Sequence, residues 1–276
     1  MSLPSFPAEI HELIIAEIAT WGTNECQKDL SNCALVCAAW HSFTLRHTFR
    51  SIELLDEYDR DDNDWAVTPT NTIAQLMESN PDIPSCVKSI YIPFSKSGYV
   101  LSLNEDDFER VCRLCTTVSD LWIREAGSNI DSHPRIRNGL LLLLGSPSLR
   151  HLTFYSTFRT SLLEAVQLQG LKSLTFKHVR HVVKDHEEST ADLSRSKLHM
   201  VKLWYSDAVI NTIYHSPAFF HLLGCTRHVQ LFIDRRSGWT LPLWDSSMDW
   251  SSCTSVDLSF ECLLRESFPW VFHRTV

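Results

Sequence analysis

The chain has 276 residues, of which 44% are hydrophobic and 11% aromatic, and its formal net charge is −8 at pH 7. This composition supports a substantial core in one or two globular domains. The acidic balance and the lack of a basic run argue against a protein that binds nucleic-acid phosphates. The start has no positively charged leader segment and no apolar run reaches about 18 residues, so we expect neither a secretory signal nor a membrane span.

A first helix is predicted to begin at Pro7, which tolerates the first helical position, with Glu9 favourably placed in the first turn. Its apolar residues recur at spacings of three and four and form one stripe: Ile10, Leu13, Ile14 and Ile18. A second helix is predicted from Asp29 to His47, capped by Asp29 or Ser31. The stretch between them, Thr20 to Lys28, contains Gly22 and is predicted to be a turn.

Two short helices cannot bury much apolar surface by themselves, so this module must dock on something. One interpretation is that it caps the end of a stacked repeat array, since terminal repeats commonly protect the core of such arrays. The other interpretation is that it binds a partner protein.

After this module the chain repeats the pattern apolar-x-x-apolar-x-apolar, which we call the repeat pattern. Its copies begin 22 to 38 residues apart, which is close to the period of leucine-rich repeats. The six clear copies and two weaker ones start at Phe49, Val87, Val118, Leu149, Leu171, Leu198, Thr226 and Cys253. Each copy is predicted to hold a short strand, because its last two apolar residues have a period of two.

Most of the intervals between copies carry helical signals. Helices are predicted over Thr72 to Met77, after a cap at Asn104, from Pro134 to Gly145, and around Leu162 to Val166. Strand, loop and helix at this spacing predict an α/β fold: a short curved solenoid with parallel strands on one face and helices on the other. The predicted units are a helical module over 1–48 and a degenerate leucine-rich-repeat solenoid over 49–276.

Two polar stretches and the C-terminal segment interrupt this scheme. Residues 56–64 hold six acids against one arginine and are predicted to be a solvated loop, and Lys184 to Ser196 is predicted to be another. The segment Leu263 to Val276 either folds back over the last repeat or belongs to a longer array.

No catalytic or metal-binding pattern stands out, so we expect no enzyme activity, no cofactor and no metal. The Cys112-x-x-Cys115 spacing suits zinc, but a structural zinc site needs four ligands and both cysteines fit the apolar face of a repeat helix. The acidic run fails as a calcium loop, since Asp64 replaces the required glycine. Common nucleophile, phosphate-binding and dinucleotide motifs are missing.

The nine cysteines are scattered, mostly inside apolar patterns. This distribution favours reduced core thiols over a disulfide scheme and therefore predicts an intracellular protein, cytoplasmic and/or nuclear.

Several N-terminal residue groups occur together in an order typical of a known family. They are Phe6-Pro7-Ala8-Glu9-Ile10, then Ile14 and Ile18, then Leu35-Val36-Cys37 with Trp40, and then Phe49-Arg50-Ser51-Ile52. These groups resemble the F-box-like proteins that are abundant in mushroom-forming fungi, and the degenerate repeats that follow suit that family. Phe6 stands where leucine is usual, and 21–25 form an insert relative to the family.

The resemblance implies a substrate receptor of an SCF-type cullin-RING ubiquitin ligase, without bond chemistry of its own. It implies that the N-terminal helices bind a Skp-family adaptor, and through it the ligase, while the repeats hold an unknown protein client. It assigns adaptor contact to Phe6, Pro7, Ile10, Leu35, Val36 and Trp40. The alternative is a ligase-independent repeat scaffold for protein–protein interaction, with the helices as its cap.

In stacked parallel strands, residues at the same position of each repeat pattern form columns on the outward face. The fifth-position column is predicted to contain Glu53, Tyr91, Trp122, Thr153, Thr175, Lys202, Gln230 and Asp257. The seventh-position column is predicted to contain Arg124, Tyr155, Lys177 and Trp204. Because large aromatic residues and arginine are enriched at interface hot spots, the predicted client-binding residues are Tyr91, Trp122, Arg124, Tyr155 and Trp204.

Overall fold

The computed structural model describes residues 7–20, 23–54, 68–94, 104–124, 130, 132–159, 162, 170–183, 198–204, 226–234, 253–261 and 268–272. Four features named above lie outside these residues or mostly outside them. They are Phe6, the acidic stretch 56–64, the helix around Leu162 to Val166, of which only Leu162 is described, and the polar stretch Lys184 to Ser196.

The N-terminal module consists of three helices. They are α1 (Ala8–Ile18), α2 (Thr23–Ala34) and α3 (Ala38–Thr48). The predicted first helix is confirmed, but it begins at Ala8, one residue later than predicted, because Pro7 has extended backbone angles and precedes the helix as its N-cap. The single helix predicted from Asp29 to His47 is wrong, and so are its caps, because both cap candidates lie inside α2.

The boundaries of α2 have a local physical cause. It begins at Thr23 instead of remaining a turn to Lys28, because Glu25, Gln27 and Lys28 favour helix. It ends because Leu35 and Val36 donate to carbonyls three residues back, at 3.1 Å each, and Cys37 is then fully extended with φ −164°. The three-residue break lets α3 take its own direction.

The core of the module differs from the predicted stripe. On α1 the fully buried residue is Ile15, and Leu30 of α2 and Thr44 of α3 are also buried. The Thr44 hydroxyl donates to the Trp40 carbonyl at 2.7 Å, so its polar group is satisfied inside the module. The stripe residue Ile14 is 39% exposed and Cys37 is also exposed, so neither belongs to the core.

The rest of the described chain forms one nine-stranded sheet whose spatial order equals the chain order. The first eight strands pair in parallel, and each lies in one copy of the repeat pattern. The strands are β1 (Ser51–Glu53), β2 (Ser89–Pro93), β3 (Asp120–Arg124), β4 (His151–Arg159), β5 (Ser173–Val183), β6 (Met200–Trp204), β7 (His228–Asp234), β8 (Ser255–Glu261) and β9 (Phe268–Phe272).

Four helices lie between the first strands. They are α4 (Thr70–Ser79), α5 (Ile83–Cys86), α6 (Glu105–Leu114) and α7 (Pro134–Leu144). The Asn104 cap is confirmed, since its side chain accepts from the backbone N–H groups of Asp106 and Asp107 at 2.9 and 3.3 Å. Pro134 opens α7 and Gly145 follows its end, as predicted. The short helix α5 was not predicted.

One hydrophobic core joins the helices to a single face of the sheet. Alternate strand residues such as Ile90 and Leu121 are buried in the same cluster as Phe108 of α6 and Leu140 of α7. The first position of the repeat pattern is buried as well in six copies, for example at Val118, and partly buried in the first and last copies, at Phe49 and Cys253. The residues between the buried strand positions face the other side, which leaves the outward face of the sheet uncovered by the described helices.

A backbone ladder holds successive repeats in register without the asparagine of standard leucine-rich repeats. The carbonyl at the second position of a copy accepts two N–H groups from the next repeat in six cases and one in the remaining case, at His199. The Arg50 carbonyl accepts from Lys88 and Ser89 at 2.8 and 2.9 Å, and the Lys88 carbonyl accepts from Ser119 and Asp120 at the same two distances. Because these bonds use main-chain atoms alone, the side chains at these positions are free to vary.

The C-terminal segment folds back. Strand β9 runs antiparallel to β8, with Val256 opposite Phe272 and Phe260 opposite Phe268. The described part of this segment therefore returns along the edge of the last repeat.

Candidate protein-binding surfaces

The N-terminal helices carry an exposed apolar surface. Among the described residues, five of the nine exposed large hydrophobic side chains lie in this module. Leu35 is 85% exposed, Leu13 64% and Val36 63%. The N-terminal apolar surface, as we define it, comprises Pro7, Ile10, Leu13, Ile14, Leu35 and Val36.

This surface is built from one face of α1 and the break between α2 and α3. Pro7, Ile10 and Ile14 are spaced by three and four residues, so they lie along one side of α1. Trp40 of α3 meets that helix edge-on at His11, with 5.7 Å between ring centres. Val36 lies four residues before Trp40, a span of at most about 14 Å. The contact between Trp40 and His11 places the start of α3, which follows this break, beside α1.

The structure places most of the predicted adaptor-binding residues on this surface. Pro7, Ile10, Leu35 and Val36 are exposed, whereas Trp40 is half-buried against His11. Phe6 lies outside the described residues. Leu13 was not singled out for adaptor contact, although its spacing of three from Ile10 could have suggested it.

The second surface is the outward face of the sheet. The parallel register places Tyr91 beside Trp122, and it places Arg124, Tyr155 and Lys177 on successive strands, as the column prediction required. Trp204 follows beside Lys177 on β6. The predicted client-binding residues therefore share one face and two columns.

Aromatic rings and cations alternate along the seventh-position column. The guanidinium carbon of Arg124 lies 5.3 Å from the centre of the Tyr155 ring. The Lys177 ammonium lies 6.0 Å from the same ring and 5.1 Å from the Trp204 ring. Trp204 in turn contacts Phe232, with ring centres 4.6 Å apart. These five residues form what we call the cation–aromatic ladder.

The ladder orders its side chains while leaving each of them partly open to solvent. Cation–π contacts at exposed sites contribute about 0.5–1 kcal/mol each, enough to favour one arrangement of the rings. The ladder residues are half-buried, while Trp122 in the neighbouring column is 43% exposed. Phe232 was missed by the sequence reasoning, although it holds the seventh position of the weak copy that starts at Thr226.

A backbone irregularity lies beside the ladder. Ser156 and His178 adopt positive φ angles of 67° and 53°, and the register of β4 and β5 shifts between Tyr155 and Thr157. The His178 ring lies 5.4 Å from the Tyr155 ring. Residues other than glycine rarely adopt such angles, so no sequence signal predicted this bulge.

Cys112 on α6 and Cys115, which directly follows this helix, belong to the core. Burial raises the pKa of Cys112 well above its ordinary value and raises that of Cys115 to about 12, so both thiols are protonated at neutral pH. Metal binding requires the thiolate. Among the residues that the structure describes, no group of three histidine, cysteine, aspartate or glutamate side chains is placed to hold a metal ion.

No helix in the described part of the chain has the length and apolar character needed to cross a membrane.

No protein-family model, curated protein or solved structure matches this chain.

Proposed function

We propose that this chain is the substrate-receptor subunit of an SCF-type cullin-RING ubiquitin ligase. In this proposal the N-terminal apolar surface binds a Skp-family adaptor, and the outward face of the sheet holds a protein client. The observation that supports it most is the exposure of Leu35 and Val36, which resemble the F-box-like pattern and lie open to solvent.

Exposed apolar side chains that cluster on one surface commonly mark a docking site. Covering a mostly exposed leucine by a partner contributes on the order of 2 kcal/mol from its buried apolar area. An amphipathic partner helix that packs on the break before α3 would bury Leu35 and Val36 together, and Ile10 and Leu13 offer further apolar surface on α1. A partner of this kind is what the proposal assigns to the adaptor.

The proposed mechanism involves no bond chemistry and no cofactor in this chain. The receptor binds a client and the adaptor at once, so the client is held close to a ubiquitin-charged enzyme of the ligase. Tethering of this kind replaces a bimolecular encounter by an effective concentration that reaches the millimolar range for short flexible links. The proposed client-contacting residues are Tyr91, Trp122, Arg124, Tyr155 and Trp204.

The test is co-purification of the full chain with a fungal Skp-family adaptor. We expect the wild-type chain to bind and the Leu35→Asp, Val36→Asp double variant to lose binding, because two carboxylates would be buried in an apolar interface. Leu142→Asp is the matched control, since Leu142 is 46% exposed on α7, outside the N-terminal module. Circular dichroism checks that all three proteins are folded. Failure of the wild-type chain to bind would overturn the proposal.

The second candidate function is a ligase-independent scaffold for protein–protein interaction, in which the N-terminal helices serve as a cap. The observation in its favour is that Leu45 of α3 and Phe49 pack against the hydrophobic core of the sheet. These contacts are what a cap at the β1 end of the array would make. A folded wild-type chain that binds no adaptor would favour the scaffold.

A further inference from the structure

Two columns at the centre of the outward face carry cations and no carboxylate, although the chain as a whole carries a net charge of −8; the neighbouring third-position column contributes one carboxylate, Asp120 on β3. From β3 to β7, the charged side chains of the fifth-position and seventh-position columns are Arg124, Lys177 and Lys202, and neither column has a carboxylate there. The carboxylates of the fifth-position column stand at its two ends, at Glu53 and Asp257.

The two lysines keep their charge available for a ligand. Among the described residues, no carboxylate lies within ion-pair distance of Lys177 or Lys202. The Lys177 ammonium lies over two rings, which leave it charged and able to donate hydrogen bonds on its open side. Asp257 instead accepts a hydrogen bond from Gln230 at 3.3 Å, and Gln230 separates it from Lys202 by one strand.

The spacing of the cations favours several separate carboxylates. Arg124 and Lys177 are two strands apart in one column, a distance of about 10 Å. Lys202 lies on β6, the strand next to that of Lys177, and in the fifth-position column instead of the seventh. Cations spread in this way can each bind one monoanionic group, whereas a single phosphate dianion is best bound by cations that converge on it.

We infer that this face binds an extended acidic segment of a protein, with carboxylates at every third residue. In a polyproline II conformation such residues lie on the same side of the chain, about 9 Å apart, which matches the separation of Arg124 and Lys177. The rings of Tyr155 and Trp204 lie along the same path and would contact the residues between the acids. The inference rests on the proposed function only where it identifies the protein that carries this acidic segment as the client of the ligase.

The probe is a fluorescein-labelled peptide of Pro-Pro-Glu repeats, which favour this conformation, titrated with the full chain and followed by fluorescence polarisation. We expect the glutamate peptide to bind at least about tenfold more tightly than the same peptide with glutamine, since several exposed ion pairs act together. We also expect its affinity to fall as salt is added, because exposed charges are screened.

The decisive variant is Lys177→Glu, Lys202→Glu. Its affinity for the glutamate peptide should fall by about tenfold, and it should bind the peptide in which lysine replaces each glutamate. A merely structural role of the two lysines would not produce this gain. Lys28→Glu, Arg137→Glu is the matched control: it changes the net charge equally at two exposed positions on α2 and α7. We expect this control to keep the glutamate peptide.

Three results would overturn the inference: no binding of the glutamate peptide, equal binding of the glutamine peptide, or binding of only a phosphoserine peptide of the same spacing. An equal loss in the control variant would also overturn it. Adaptor co-purification of the Lys177→Glu, Lys202→Glu variant separates the two proposals. If the wild-type chain binds the glutamate peptide but not the adaptor, only the ligase proposal is overturned. If it binds the adaptor but not the glutamate peptide, only this inference is overturned.

Discussion

Gly139 of α7 lies against the ring of Phe108 on α6, so closely that a Cβ at position 139 would stand 2.7 Å from Cε1 of that ring. It would also stand 3.2 Å from the sulfur of Cys112. Phe108 is fully buried, so its ring cannot swing out to solvent. The glycine therefore sets the distance between two neighbouring repeat helices.

We predict that Gly139→Ala lowers the free energy of unfolding. Overpacking a core costs about 1–3 kcal/mol, and this contact is tight enough to place the cost near the upper end. The better helix propensity of alanine returns about 1 kcal/mol, so the expected net loss is about 1–2 kcal/mol. Urea unfolding measures it. Asn138→Ala is the control: it lies on the exposed side of the same helix and is expected to gain a few tenths of a kcal/mol. A stabilised Gly139→Ala would contradict the close contact.

Arg150 joins two repeats through backbone carbonyls. One nitrogen of its guanidinium lies 2.8 Å from the Pro147 carbonyl oxygen, 3.1 Å from that of Leu149 and 3.1 Å from that of Gly170. We predict that Arg150→Met lowers the free energy of unfolding by about 1–3 kcal/mol, because hydrogen bonds to a charged group are lost while the apolar stem is kept. Chemical denaturation of the two proteins gives the difference.

Arg137→Met is the matched control for this change, since Arg137 is exposed on α7. We expect a change of no more than about 0.5 kcal/mol there. Equal effects at the two arginines would show that the bridge at Arg150 contributes nothing specific.

The sheet could be predicted because its repeat pattern carries redundant information. In the first seven copies the fourth and sixth positions face inward, as Leu121 and Ile123 do, and the phase of the copies specifies both the register and the outward columns. The pairing of Tyr91 with Trp122 could be predicted because both residues hold the fifth position of neighbouring copies. The distances in the cation–aromatic ladder did not follow, because they depend on side-chain rotamers that a column position leaves open.

The helical module was predicted less well because its pattern is ambiguous. Apolar residues surround much of α1, so the spacing of Ile10, Leu13 and Ile14 could not decide which face packs inward. Contact with α2 and α3 selects Ile15 instead. The bulge at Ser156 and His178 had no signal at all, since glycine, the usual marker of positive φ, is at neither position.

The buried thiol of Cys115 makes stability depend on pH in the alkaline range. Burial raises its pKa from 9.0 to about 12, so between these values the unfolded chain loses the proton that the folded chain keeps. Stability is therefore fully present below about pH 9 and is lost progressively as the pH rises toward 12. Raising the pH from 9 to 10 is expected to cost roughly 1 kcal/mol from this group.

The measurement is the urea midpoint as a function of pH for the wild-type chain and for Cys115→Ala. We expect the variant to be less stable at pH 8, because a cavity is left, yet to lose stability less steeply above pH 9. Parallel slopes for the two proteins would show that this thiol ionises as easily in the folded chain as in the unfolded one.

We predict that Trp122→Ala combined with Tyr155→Ala abolishes client capture while leaving the fold intact. Trp122 is 43% exposed, and Tyr155 is half-buried between two cations, so their removal costs mainly cation–π contacts of about 0.5–1 kcal/mol each. The melting temperature is then expected to fall by a few degrees, since about 1 kcal/mol corresponds to 2–4 °C in a chain of this size.

The control for this last change is Phe154→Ala, one residue away from Tyr155 but facing inward. Phe154 is fully buried and stacks on Phe176 with ring centres 5.8 Å apart, so its loss is expected to cost about 3–5 kcal/mol. Thermal unfolding and client capture are measured on both variants. If the Trp122 and Tyr155 double variant unfolds as readily as Phe154→Ala, these residues support the sheet and are not a recognition surface. If it stays folded and still captures the client, the client contacts another part of the chain.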